Sequence, residues 1–316
     1  MFDKDSKGIS YTAGFFMLIA FAIAGVIMAE MITRPIWYSM TGIDSSKKME
    51  VAANPDYRNA FRVSQTIIFL VGFLLPAFVT AWVLNRKPVK LVGLSYHVNW
   101  KQVGLVCLIM FTALYASSAF SYFTKEIPIA ESLRQQFDKM ENDYLQQAAA
   151  IIGLSSFGEF ILALVIMAFL PALCEEVLFR GGLQNYLTRA TRKPWISIII
   201  VSILFSLLHF SYYGFLSRMF LGIVLGFIFE YSGRLWLCVI AHFLNNALVV
   251  VLTYIQVQQG RSIIEVLKSN EGSWVGILAL PITIVLLIVF KKIGNKPEEI
   301  PGGAVRNEEL RNTPFY

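Results

Sequence analysis

Charge is what this sequence has little of. Only 15% of its 316 residues are Asp, Glu, Lys or Arg, against roughly 25% in ordinary soluble domains, whereas 56% are hydrophobic. A water-soluble fold of this size would have too little polar surface to cover such a core. Cysteine is also scarce: Cys107, Cys174 and Cys238 are too few and too scattered for a disulfide framework or a thiolate metal cage, and all three fall inside apolar runs, where they serve as packing residues. No internal repeat and no low-complexity tract is present. The net charge of +6 is topological, set by the loops between hydrophobic spans, which leaves no support for a nucleic-acid partner.

What is abundant is long hydrophobic sequence. Runs of 17 residues or more recur, and about 20 apolar residues suffice for one helix to cross a hydrocarbon layer roughly 30 Å thick. The pattern predicts an all-α, polytopic membrane helix bundle of about eight transmembrane helices, near 11–32, 63–84, 102–123, 157–188, 194–211, 213–231, 234–257 and 273–290. The first run follows Lys4 and Lys7 but exceeds the 7–15 residues of a signal-peptide core, so it reads as an uncleaved span. The stretch 124–156, with Glu131, Arg134, Gln135, Asp138, Lys139 and Glu141, reads as a polar helix outside the lipid. Residues 1–296 form the transmembrane domain, with a chemical core at about 157–257, and 297–316, containing Pro297, Pro301, Gly302 and Gly303, form a flexible tail.

Alternating the spans gathers the excess of Lys and Arg on the face that holds both termini, the 85–101 and 189–193 loops and Arg234, while the opposite face is balanced in charge. The positive-inside rule makes the first face cytoplasmic. A multi-pass protein of a bacterial inner membrane is the expectation. The 25 Phe, 13 Tyr and 6 Trp serve lipid contact and interfacial belting and require no cofactor.

Ionisable groups inside a bilayer are costly enough that each is a functional candidate. Span 157–188 contains Glu159, Glu175, Glu176 and Arg180; span 194–211 ends near His209; span 213–231 holds Arg218 and Glu230; span 234–257 holds His242, Asn245 and Asn246. Glu176 and Arg180 stand four apart on a helix and can pair, whereas Glu175 is rotated by about 100° and has only Phe179 at i+4. The chemistry is therefore expected of Glu175 and the architecture of Glu176 and Arg180. His242 and Asn246 share one helical face, and Phe205 and His209 repeat that spacing. Counting rise per residue puts Glu175 and His209 level, roughly 21 and 22 Å from the 189–193 loop, with Asn246 and His242 a looser match, provided Gly181 and Gly182 do not break the helix. Asn245 reads as a packing residue, Glu159, Arg218 and Glu230 as groups near span ends that snorkel, and His97 as a surface histidine.

The runs Glu175-Glu176-Val177-Leu178-Phe179-Arg180, Phe205-Ser206-Leu207-Leu208-His209 and His242-Phe243-Leu244-Asn245-Asn246 resemble the EExxxR, FxxxH and HxxxN motifs of the CPBP family, which includes CAAX prenyl endopeptidases and bacterial Abi-type relatives. The resemblance covers about a third of the chain. It implies an intramembrane endopeptidase in which Glu175, aided by His209, activates water while His242 and Asn246 stabilise the oxyanion, acting on a membrane-associated peptide or a lipidated, CAAX-like protein. An alternative assignment makes Glu175, His209 and His242 ligands of a divalent metal such as zinc, although no HExxH helix is present. Two readings from other classes are a proton-coupled transporter, with the same residues as a relay, and a catalytically silent membrane scaffold.

Overall fold

A computed structural model describes residues 5–94, 99–269 and 272–294. The flexible tail expected at 297–316 and the surface position expected for His97 lie outside these residues. The described chain is helical, without a named strand, and seven helices are long and apolar enough to cross a membrane. They are α1 (Tyr11–Thr41), α2 (Pro55–Leu84), α3 (Trp100–Glu126), α5 (Phe157–Thr191), α7 (Phe215–Ser232), α8 (Leu235–Gln258) and α10 (Trp274–Ile293). The expected polar helix is α4 (Glu131–Ile151), and a short α9 (Ile263–Lys268) precedes α10.

The remaining expected span is the shorter apolar helix α6 (Pro194–Leu207). Its 14 residues rise about 21 Å, less than a full hydrocarbon layer, so α6 ends part-way across. The expected boundary at 211 is thus four residues too far. Leu208, His209 and Phe210 lie in a turn after the helix, with Phe210 in the left-handed region at φ 49°, a conformation a bulky side chain seldom adopts. At the other extreme, α1 continues past its expected end through Arg34 and Pro35 to Gly42, whose φ of 69° terminates it.

Helix α5 is the centre of the bundle, packed against α1, α2, α6, α7 and α8. It passes through Gly181 and Gly182 unbroken, though with two wider, π-type turns at Leu164–Phe169 and Val177–Gln184. Every residue of the second turn is buried. A side chain at Gly181 would strike the Val92 carbonyl and one at Gly182 the Leu18 methyl, so these glycines allow close packing in place of a kink. Gly222 and Gly226 of α7 form a GxxxG face against Ser202 and Ile198 of α6, the small-residue contact that helices use when lipid removes any hydrophobic drive to associate. Their carbonyls receive hydrogen bonds from Arg180 Nη2 (3.2 Å) and Gln184 Nε2 (2.9 Å) of α5.

Outward-facing apolar side chains such as Phe16, Ile23, Met31, Leu108, Phe111 and Ile282 are exposed, as lipid contact demands. Four exposed tryptophans, Trp82, Trp100, Trp195 and Trp274, stand at or near helix ends, where amphipathic rings settle at the membrane boundary.

Candidate active site

The site is organised around Phe205. Its ring meets Phe179 edge-on at 5.2 Å, His209 at 4.9 Å and His242 at 5.8 Å between centroids, and the Arg180 guanidinium lies over it at 4.8 Å. One aromatic residue of α6 thereby sets the spacing between α5, α8 and the turn that carries His209.

Glu176 and Arg180 pair as expected: Arg180 Nη1 donates to Glu176 Oε1 at 2.7 Å, and both side chains are fully buried. The same oxygen lies 2.8 Å from His242 Nδ1. A carboxylate already engaged by a guanidinium can only accept from this ring, so Nδ1 carries the proton. Glu176 therefore does more than the architecture assigned to it from spacing, because it also orients a histidine of another helix. His242 Nε2 then faces Glu175 Oε2 at 3.8 Å, beyond hydrogen-bond length. Glu175 is buried, forms no direct hydrogen bond among the described residues, and its Oε2 is a buried acceptor without a hydrogen-bond partner among them.

His209 is fixed differently. Its Nδ1 is 2.8 Å from the Phe205 carbonyl, which can only accept, so Nδ1 carries the proton and Nε2 is the acceptor left for other groups. The residue sits in the turn after α6 and not inside the helix, a correction to the sequence expectation. The apolar run continues through Phe210, and nothing in its hydropathy marks where the helix stops.

Asn246 accepts through Oδ1 from Asn245 Nδ2 at 2.7 Å. Asn245, expected only to pack, thus points the Asn246 amide so that its own N–H donors remain for a ligand. Glu159 and Arg218 do not snorkel. Glu159 pairs with Arg62 of α2 at 2.5 Å, and Arg62 is 4% exposed, while the Arg218 guanidinium stacks over the Tyr144 ring of α4 at 4.8 Å. Both partners come from segments far away in sequence, so neither pair has a local spacing signature.

Glu175, His209, His242, Asn245 and Asn246 all line one cavity of about 1430 Å³. Its other walls include the polar helix α4, α2, the end of α3, the turn after α6, the start of α7 and the end of α9. Helix α4 is tied over it by Ser211 Oγ donating to Glu141 (2.5 Å), by Tyr213 Oη donating to Asp138 (2.6 Å), and by Phe137 stacked on Tyr212 at 4.2 Å.

Among the described residues, no three His, Cys, Asp or Glu side chains gather closely enough to hold a metal ion. Both histidines have Nδ1 engaged, by Glu176 and Phe205, an arrangement that leaves Nε2 free as a metal-ligating imidazole would have it, but Glu175, His209 and His242 as placed stand too far apart to form a ligand set.

A buried carboxylate, two histidines and an asparagine thus surround one cavity in a bundle with seven helices long and apolar enough to cross a membrane. The family model described as type II CAAX prenyl endopeptidase Rce1-like matches residues 157–248, the stretch carrying all three motifs, in agreement with the CPBP family. Neither the curated proteins nor the solved structures yield a match.

Proposed function

We propose that the protein is an intramembrane endopeptidase that hydrolyses a peptide bond of a membrane-associated, CAAX-type substrate with water activated by Glu175. The observation that carries the reading is a buried Glu175 oxygen with no hydrogen-bond partner among the described residues, in the same cavity as His209, His242 and Asn246. Glu176 also has one buried oxygen without a hydrogen-bond partner, but its Oε1 is held by both Arg180 and His242, whereas neither oxygen of Glu175 has a hydrogen bond among the described residues. A carboxylate left so is an acceptor for a water proton, with His209 Nε2 available to share it.

In this reading the water oxygen bonds to the scissile carbonyl carbon as its proton passes to Glu175. The oxyanion forms against the Asn246 N–H donors, joined by His242 Nε2 when that ring carries a second proton whose charge Glu176 balances. Collapse breaks the carbon–nitrogen bond, and the proton on Glu175 is delivered to the departing amine. No step runs through a metal ion.

The cavity reaches from the middle of the bundle, where α2, α5 and α8 line it, toward the side away from the basic loops, where α4, the end of α3, the turn after α6 and the start of α7 line it. With both termini in the cytoplasm of a bacterial cell, the positive-inside rule has the cavity open away from the cytoplasm. The test of the catalytic reading is cleavage of a farnesylated CAAX-type peptide by detergent-purified protein. Wild type cleaves, Glu175→Gln and His209→Ala do not, and a chelator changes nothing. Equal cleavage by wild type and Glu175→Gln removes Glu175 from the chemistry. Proton-dependent flux without cleavage favours the transporter reading.

A further inference from the structure

Among the described residues, Arg218 is a cation without a counter-ion. It lines the same cavity as Glu175, His209 and Asn246, yet it makes no ion pair with any described residue, and its Nη1 is buried with no hydrogen-bond partner among them. Of the carboxylates nearby, Glu176 is held by Arg180 and His242, Asp138 by Tyr213 and Glu141 by Ser211, while Asp143, also on the cavity wall, forms no ion pair with Arg218. Glu175 is near enough to interact with its charge but beyond pairing distance. The other cations on the cavity wall differ, since Arg134 has Glu131 at 3.9 Å and Lys125 and Lys268 are exposed. The placement of Arg218 is also built by its surroundings. Its guanidinium folds over Gly214, where any Cβ would stand 2.2 Å from Nη1, and its other face is covered by Tyr144.

Arg218 is half-buried with Nη1 fully covered; a guanidinium nitrogen out of water without an acceptor is costly in the free protein, and an anionic ligand relieves that cost. The cavity exceeds the roughly 300–1,000 Å³ typical of small-molecule pockets and suits several residues of peptide. On the basis of the endopeptidase reading above, we infer that Arg218 binds the free C-terminal carboxylate of the substrate, so that the enzyme measures its cleavage point from the chain end. The planar guanidinium fork matches a carboxylate through two parallel hydrogen bonds. A lipid phosphate is the rival anion, but Arg218 lines the same cavity as Glu175 and is covered by the Tyr144 ring of α4, which favours the peptide.

The test uses two farnesylated peptides identical except for a terminal carboxylate or carboxamide. They are given to wild type, Arg218→Gln, Arg218→Lys and Gly214→Ala in nanodiscs of phosphatidylcholine, with and without phosphatidylglycerol. A charge-assisted hydrogen bond supports a wild-type preference for the acid of about tenfold to a hundredfold in kcat/KM, expressed mainly in KM. The ratio falls to near one in Arg218→Gln, lies between in Arg218→Lys, and drops in Gly214→Ala through displacement of the guanidinium. Equal cleavage of both peptides by wild type overturns the inference while leaving the endopeptidase reading intact. So does an acid preference that survives Arg218→Gln, or a loss that lowers both peptides together and leaves the ratio unchanged. Activity that follows phosphatidylglycerol and not the peptide terminus assigns Arg218 to lipid phosphate. Cleavage of neither peptide by wild type sinks both readings together.

Discussion

The adjacent glutamates Glu175 and Glu176 should respond in opposite ways to substitution. Glu176 Oε1 holds Arg180 at 2.7 Å and His242 at 2.8 Å, with Glu176 and Arg180 fully buried. Glu176→Ala leaves the guanidinium without its counter-charge and His242 without its anchor, and breaking one side of a buried pair costs about 3–5 kcal/mol. Part of that cost is offset by the Arg180 contacts with the Gly222 carbonyl and the Phe205 ring, which places the expected loss toward the lower end. Glu175→Gln removes no hydrogen bond among the described residues, because Glu175 makes none there, and its volume is nearly unchanged. Its effect on stability should stay within about 0.5 kcal/mol, while loss of a general base lowers the rate by about 10²–10⁴-fold. Thermal unfolding in detergent, followed beside peptide cleavage, separates the two. A Glu175→Gln protein destabilised as much as Glu176→Ala, or a Glu176→Ala protein as stable as wild type, would refute this division of labour.

Other substitutions test neighbouring parts of the site. Asn246→Ala should reduce kcat by about 10²–10³-fold with little change in KM, and Asn245→Ala should do the same more weakly, since it only orients the Asn246 amide; kinetics on one peptide series checks both. Single cysteines introduced at Arg134 of α4 and at Arg192 in the α5–α6 loop should be labelled from opposite sides of intact cells by a membrane-impermeant thiol reagent, in a background lacking the three native cysteines. Arg192 reactive from outside would reverse the proposed orientation. Near the cavity rim, Glu265 is held below the ordinary carboxylate range, first by the Ser262 backbone N–H and then by its hydroxyl. A depressed carboxylate contributes its stabilisation above the unfolded value of about 4.3 and loses it as pH falls through the lowered folded value. Hydrogen exchange over 262–268 should accordingly accelerate below about pH 4, and should do so already at neutral pH in Ser262→Ala.

Much of this arrangement is written in local pattern. Hydrophobic run length places the membrane helices, and i,i+4 spacing pairs Glu176 with Arg180 and sets His242 beside Asn246. What spacing does not carry is contact between separate helices. The second role of Glu176 depends on α8 bringing His242 within 2.8 Å, and the Arg62–Glu159 pair joins residues 97 apart. Helix termination is equally hidden in an apolar run. Helix α6 stops at Leu207 because the chain turns at Phe210, and that turn, which puts His209 at the cavity wall, leaves no mark in hydropathy. Phe205 was visible only as the first letter of a motif, whereas four of its neighbours in space explain why an aromatic stands there.

The most direct measurement is mass-spectrometric mapping of peptide-bond cleavage by the purified protein, comparing wild type with Glu175→Gln at equal folded concentration. The account requires that wild type produce a defined new terminus, with one oxygen of solvent water incorporated, and that Glu175→Gln produce none. Cleavage at the same bond and rate in both proteins would contradict it.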